Sequence, residues 1–299
     1  MDHNTSIFEQ ERPALLSISY RMLGEISSAE DVVQEAWLRF SASDVANIEN
    51  PGAWLRRVAT NIALDTLKSA RARRENYVGP WLPEPVISEH TPSTESQFQL
   101  AQECELALLW AMERLAPTER AAFVLREAFD ADYSEIATTL GKSEAACRQM
   151  VSRAHKRLQT SGPRFDVSPE EAAKAVETFF FAATQDHEQA IKMVSKEAVA
   201  ITDGGGKASA AFRILYGPQD IVTVTQAVME KSKDLPNVSY ALVFANSQPA
   251  LARYTGGVLD TLTLVLPDSN GAAQWIYVMR NPDKLAMPSP TAPNVRQMN

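Results

Sequence analysis

Residues 132–158, DYSEIATTLGKSEAACRQMVSRAHKRL, decide how the N-terminal half of this chain is read. Ser134 is placed to cap a short helix with apolar positions at Ile136, Ala137 and Leu140. Gly141 supplies the backbone freedom of a tight turn, and Ser143 is placed to cap a second helix. There Cys147, Met150, Val151, Ala154 and Leu158 recur at helical spacing, so one stripe is expected inside. Glu144, Arg148, Gln149, Ser152, Arg153 and Lys156 share the opposite face. Two short helices, a Gly turn and a basic outer face are what a major-groove reader needs. Arg and Gln suit base edges, while Lys and Ser more often hold phosphate. An ordinary helical hairpin with a solvated basic face fits the same residues, and this stretch alone leaves both readings open.

A chain of 299 residues has room for two or three domains. Its apolar share of 45% is ordinary, and no apolar run approaches membrane-spanning length. The start, MDHNTSIFEQERPALL, lacks the basic end and apolar core of a signal peptide, so the cytoplasm is expected and a membrane is not. Cys104 and Cys147 lie on helical patterns without metal-ligand neighbours, which predicts reduced core thiols and no metal. A net charge of −8 argues against a nucleic-acid partner until its distribution is considered. Residues 1–160 hold 17 of the 29 basic side chains, and 11 of those fall in 56–74 and 142–157. Acidic side chains cluster in 25–49 and 84–105. Two basic patches on an acidic body bind DNA weakly alone and gain from a partner that presents them.

Along the chain, residues 6–24 predict a helix stopped at Gly24. Ser27 and Ser28 then stand in capping-box spacing to Glu30 and Asp31. Val33, Ala36, Trp37 and Phe40 form the inner stripe of this second helix, which leaves Asp31, Gln34, Glu35 and Leu38 outside. Such a face is solvated, or it docks on a basic partner. After a polar loop, Asn50 and Pro51 start a long helix as cap and first residue. Trp54, Leu55, Val58, Ala59 and Ile62 face inward, and Arg57, Asn61, Asp65 and Lys68 line one outer edge. The closing run KSARARR reads as a solvated charged tail.

Three motifs in this order carry a resemblance: GEISSAEDVVQEAWLRF, NPGAWLRRVATNIALDTLKSARARR and LAPTERAAFVLREAFDADYSEIATTLGKS. Residues 6–160 resemble a bacterial extracytoplasmic-function sigma factor, which keeps only sigma regions two and four. The resemblance decides for the DNA-reading helix-turn-helix. It implies that Asp31, Gln34, Glu35 and Leu38 bind the coiled coil of the largest polymerase subunit. It further implies that region four meets the flap of the second-largest subunit. Arg57, Asn61 and Asp65 would face the unpaired −10 strand, and Arg148, Gln149, Ser152 and Arg153 the −35 duplex. The loop 45–49 would form the −10 base pocket, but it departs from the family in lacking basic and aromatic residues.

Residues 76–97 are rich in Pro, Ser and Glu and contain WLPEP at 81–85. Pro83 and Pro85 hold it extended, and Trp81, between Pro80 and Pro83, suggests an anchor. Helices over 170–181 and 188–194 come next, and then strand-like runs at 198–202, 240–245, 250–254, 258–266 and 273–279. Helices followed by a curved antiparallel sheet suggest an α+β cone, similar to the SnoaL-like, nuclear-transport-factor-two-like fold. DGGGK at 203–207 lacks the spacing and hydroxyl of a P-loop and reads as a tight turn. NPDKL at 281–285 is a turn after the last strand. WLPEP, DGGGK and NPDKL together resemble one sigma group with a fused SnoaL-like domain. That resemblance implies direct regulation by Trp81, Pro83, Asp203, Gly205, Asn281 and Asp283, with no separate anti-sigma factor and no cofactor. The expected organisation is multidomain: region two at 1–75, a linker at 76–100, region four at 101–161, the cone at 162–286 and a flexible tail at 287–299. The competing reading makes the cone a ligand sensor or an isomerase-like enzyme using Asp260, Tyr254 or His187.

Overall fold

The computed structural model describes residues 3–88, 105–161 and 167–285. Cys104, the later part of the linker and the tail lie outside them. The chain divides into two compact units, residues 1–75 with 94–162 and residues 76–93 with 163–299.

The first unit is helical. Helices α1 (His3–Leu23), α2 (Ile26–Ser41) and α3 (Pro51–Arg74) precede α4 (Leu106–Met112), α5 (Pro117–Phe129), α6 (Tyr133–Leu140) and α7 (Glu144–Ser161). Aromatic rings join the first three helices: Phe8 meets Trp37 at 4.8 Å between centroids, and Phe40 meets Trp54 at 5.8 Å. Asn50 caps α3 as expected, its Oδ1 accepting from the Ala53 N–H at 3.0 Å. The capping box at Ser27 and Ser28 does not form. Helix α2 begins at Ile26, and the Ser28 hydroxyl donates to Glu25 instead. Ser134 is likewise no cap, because α6 starts after Asp132 and places Ser134 inside its first turn. The loop before α3 contains a 3-10 turn, Val45–Asn47.

The second unit combines α8 (Pro169–Thr184), α9 (His187–Met193), α10 (Gly217–Ser232) and the short α11 (Pro282–Leu285) with one sheet. Its strands are β1 (Ile87–Ser88), β2 (Val194–Asp203), β3 (Leu215–Tyr216), β4 (Val238–Ala245), β5 (Gln248–Thr255), β6 (Val258–Pro267) and β7 (Ala273–Met279), in the order β1-β4-β5-β6-β7-β2-β3. The sheet is mixed, not wholly antiparallel, since β2 runs parallel to β7. Nor do all helices come first. Helix α10 stands between β3 and β4, and its IVTVT run hides it because β-branched residues favour strands. Val176 and Phe179 of α8 and Ile221 of α10 pack on Leu251, Val265 and Ile276, so the helices cover one face of the sheet. Register shifts in the β5–β6 and β2–β7 pairings mark where the strands bend.

Candidate nucleic-acid interface and the Asp203 cluster

Helix α7 is built as a reader. Gly141 ends α6 with φ +62°, a left-handed turn that a β-carbon would strain, and the Ser143 hydroxyl caps α7 by accepting from the Ala146 N–H. Cys147, Met150, Val151, Ala154 and Leu158 are all buried, so the helix is fixed by its inner stripe. Arg148, Gln149, Ser152, Arg153 and Lys156 are exposed on the other side. The two arginines already hold carboxylates. Arg148 meets Glu144 at 2.9 Å and lies 4.7 Å from the Tyr133 ring centroid. Arg153 and Arg157 reach the buried Glu119 at 2.9 and 2.6 Å. The Glu144 partner of Arg148 is exposed and readily exchanged for phosphate, whereas Arg153 shares the buried Glu119 with Arg157.

On α2, Asp31 and Gln34 are exposed beside Leu38, a leucine left 53% accessible, while Glu35 pairs with Arg39 at 2.8 Å. An apolar side chain framed by carboxylates suits a basic partner with an apolar contact of its own. On α3, Asn61 and Asp65 are exposed, Asp65 pairs with Lys68 at 2.9 Å, and Arg57 is half-buried.

The basic end of α3 is not the expected solvated tail. Arg74 donates to Glu113 at 2.6 Å and to the Leu23 carbonyl at 2.7 Å. Arg71 donates to the carbonyls of Glu113 and Leu115. Arg120, fully buried, reaches the Arg21 carbonyl at 2.9 Å and the second oxygen of Glu113. Burial pushes the Glu113 carboxyl up, but Arg120 and Arg74 outweigh it and hold the group below its usual range. Sequence reasoning missed Glu113 and Arg120. The available signal was an arginine among the buried positions of α5.

In the second unit a single carboxylate collects the three pentapeptides. Asp203 is fully buried. Its Oδ1 accepts from the Tyr77 hydroxyl at 2.6 Å and the Gly205 N–H at 3.0 Å. Its Oδ2 accepts from the Leu82 N–H at 2.9 Å and the Lys284 ammonium at 2.7 Å. Lys284 also donates to the Leu82 carbonyl and lies 4.3 Å from the Trp81 ring centroid. Asn281 donates to the Tyr77 oxygen at 2.8 Å, and the exposed Asp283 pairs with Lys207 at 2.6 Å. DGGGK is the expected turn, closed from the Lys207 N–H to the Gly204 carbonyl. Gly205 takes φ +60°, and a β-carbon there would run into Asn281. The deepest anchor is Leu82, with Pro83 beside it, while Trp81 is half-buried as a lid over Lys284. Burial and the hydrogen bond to Asp203 both push the Tyr77 phenol up.

The facing of Asp260 is also fixed. Arg253 donates to it at 2.7 Å, Thr261 at 2.8 Å, and Thr255 donates as well. Burial raises this carboxyl, yet those hydrogen bonds hold it below its usual range, so it is an ion-pair partner and not a free general base. Tyr254 is buried, and His187 meets Gln226 at 2.9 Å. No helix among the described residues is long and apolar enough to cross a membrane. No group of three or more metal-ligating side chains is placed together among them.

Residues 7–73 match the family described as Sigma-70 region 2, and residues 105–158 that described as Sigma-70, region 4. Over 290 residues the chain is 34% identical to the ECF RNA polymerase sigma factor SigJ of Mycobacterium tuberculosis, covering 93% of this chain and 92% of that one. The chain is an extracytoplasmic-function RNA polymerase sigma factor. The crystal structure of the same SigJ aligns with this sigma factor at a TM-score of 0.74 and 29% identity, covering 94% of this chain and 98% of that one. The probable ECF RNA polymerase sigma factor SigI of the same organism is 36% identical over 171 residues, 56% of this chain and 58% of that one. This sigma factor therefore binds core RNA polymerase and promoter DNA and directs promoter-specific initiation. It is a transcription factor and not an enzyme.

Proposed function

We propose that residues 1–75 dock on the coiled coil of the largest polymerase subunit through Asp31, Gln34, Glu35 and Leu38. The same region holds the unpaired −10 strand with Arg57, Asn61 and Asp65. Residues 101–161 bind the flap of the second-largest subunit and read the −35 duplex with Arg148, Gln149, Ser152 and Arg153. The cone, residues 162–286, regulates these regions in place of a separate anti-sigma factor. It does so through Trp81, Pro83, Asp203, Gly205, Asn281 and Asp283.

One observation supports the regulatory part. The buried carboxylate of Asp203 binds Tyr77 and Leu82, which lie in the segment that joins the two readers in sequence. That segment belongs to the compact unit of the cone. Loosening the cluster frees the joining segment and changes how the readers are presented. Run-off transcription with core polymerase tests this on the full chain, on Lys284→Met and on a chain ending at Gly162. A several-fold change in yield from one promoter is expected in both altered proteins. Equal yield from all three would end the regulatory reading, and absence of any transcript would end the assignment of the readers.

A further inference from the structure

The reader helix α7 rests on α5, and the Phe123 and His155 rings meet between the two at 5.2 Å between centroids. Glu119 stands in the first turn of α5 and is buried, with 7% of its side chain accessible. Its Oε1 accepts from the Arg153 Nε–H at 2.9 Å. Its Oε2 accepts from Arg157 Nη1 at 2.6 Å and from the Ala116 N–H at 3.3 Å. Both arginines keep more than half of their side chains accessible, 56% for Arg153 and 52% for Arg157.

A buried carboxylate is costly unless cations are drawn onto it, so this pairing is held from the inside. The Arg148–Glu144 pair on the same helix has both partners in water, 55% and 48% accessible, and orders its guanidinium less. A charge-assisted bond at Nε also fixes which part of the Arg153 guanidinium is left over. Among the described residues Arg153 has no other partner, so Nη1 and Nη2 form a free end. A planar end with two nitrogens is what meets O6 and N7 of guanine in the major groove. A guanidinium free to turn would serve phosphate as readily and carry no sequence information.

We propose that Glu119 is a positioning residue for −35 recognition: it holds Arg153 by Nε and aims the Nη1–Nη2 end at a guanine. Its second oxygen sets Arg157 one turn further along α7, where it takes a flanking phosphate. The inference rests on the reading of Arg153 as a −35 contact, and adds the base it reads and the carboxylate that aims it.

The test is transcription by core polymerase and the full chain from a promoter pool randomised across the −35 and −10 regions, each template carrying a transcribed barcode. The parent should favour guanine on one strand at one −35 position by about tenfold. Arg153→Lys keeps the charge, loses the two-nitrogen end and removes that preference. In Glu119→Gln the Ala116 N–H and Arg157 hold the amide oxygen at the Oε2 place, so the NH2 group turns on Arg153. The guanine preference should then fall about fivefold, while other positions keep theirs and the pooled yield does not drop. An unchanged preference in Glu119→Gln, or an even loss at every position, overturns the positioning role alone. A base other than guanine at the position that Arg153→Lys erases overturns the aim. If Arg153→Lys alters no position, Arg153 does not read the −35 duplex, and the proposal falls with that reading. If Glu119→Gln does not fold, Glu119→Asp decides: it keeps the charge but stops a methylene short of Nε, and an unchanged preference overturns the proposal.

Discussion

Each unit of this sigma factor is pinned by one carboxylate, and the two are built differently. Glu113 keeps 18% of its side chain accessible and meets two guanidiniums, with a third on its backbone carbonyl. Asp203 is sealed from water and receives one ammonium, one phenol and two backbone N–H groups. The Glu113 junction is rich in positive charge, and its arginines also donate to the Leu23, Arg21 and Leu115 carbonyls, so removing the carboxylate leaves each with a partner. At Asp203 the charges balance one to one in a dry site, and nothing can replace the lost partner. Similar chemistry therefore gives an adjustable joint in one unit and a rigid one in the other.

The largest effect that would break this contrast is expected from Asp203→Ala. It strands Lys284 and should destabilise the second unit by about 3–5 kcal/mol in chemical denaturation, the range for breaking a buried pair from one side. Glu113→Gln should cost less, about 2 kcal/mol, because Arg120 and Arg74 keep their bonds to the Arg21 and Leu23 carbonyls. A larger loss at Glu113 than at Asp203 would reverse the comparison. Acid separates the mutant from its parent. The folded carboxyl of Glu113 lies below its unfolded value, so its contribution is complete above the ordinary carboxylate range and is lost as pH falls through the depressed value. Glu113→Gln should flatten that acid limb. The smallest effect is expected at Glu105, which burial pushes up to about 7 from 4.5. The folded state keeps a proton that the unfolded chain releases, so stability declines as pH rises across that interval. Glu105→Gln should remove the decline, read as a Tm that no longer drops between pH 5 and 8. An unchanged pH profile would refute the assignment.

Local rules made much of this legible in advance. The α7 stripe, the Asn50 cap, the turn at Gly141 and the five main strands follow from spacing and capping within a few residues. What escaped was non-local or contradicted local preference. Helix α10 carries a β-branched run and is helical because Ile221 and Val222 bury against the sheet. Strands β1 and β3 are two residues long and leave no periodicity. Arg71 and Arg74 read as solvated because their partner Glu113 comes about forty residues later in sequence. The −10 and −35 surfaces were legible only as exposed faces of helices, since exposure follows from spacing but the bound strand does not.

Strand β1 carries a further lesson for anyone who wishes to study the cone alone. Ile87 and Ser88 pair with Ala245 and Phe244, and Val86 exchanges hydrogen bonds with Asn246, so residues upstream of region four close the outer border of β4. A fragment beginning at residue 163 would be missing that border. Its bare N–H and C=O groups would invite a second copy to add itself there, giving dimers or precipitate from a domain sound in the whole chain.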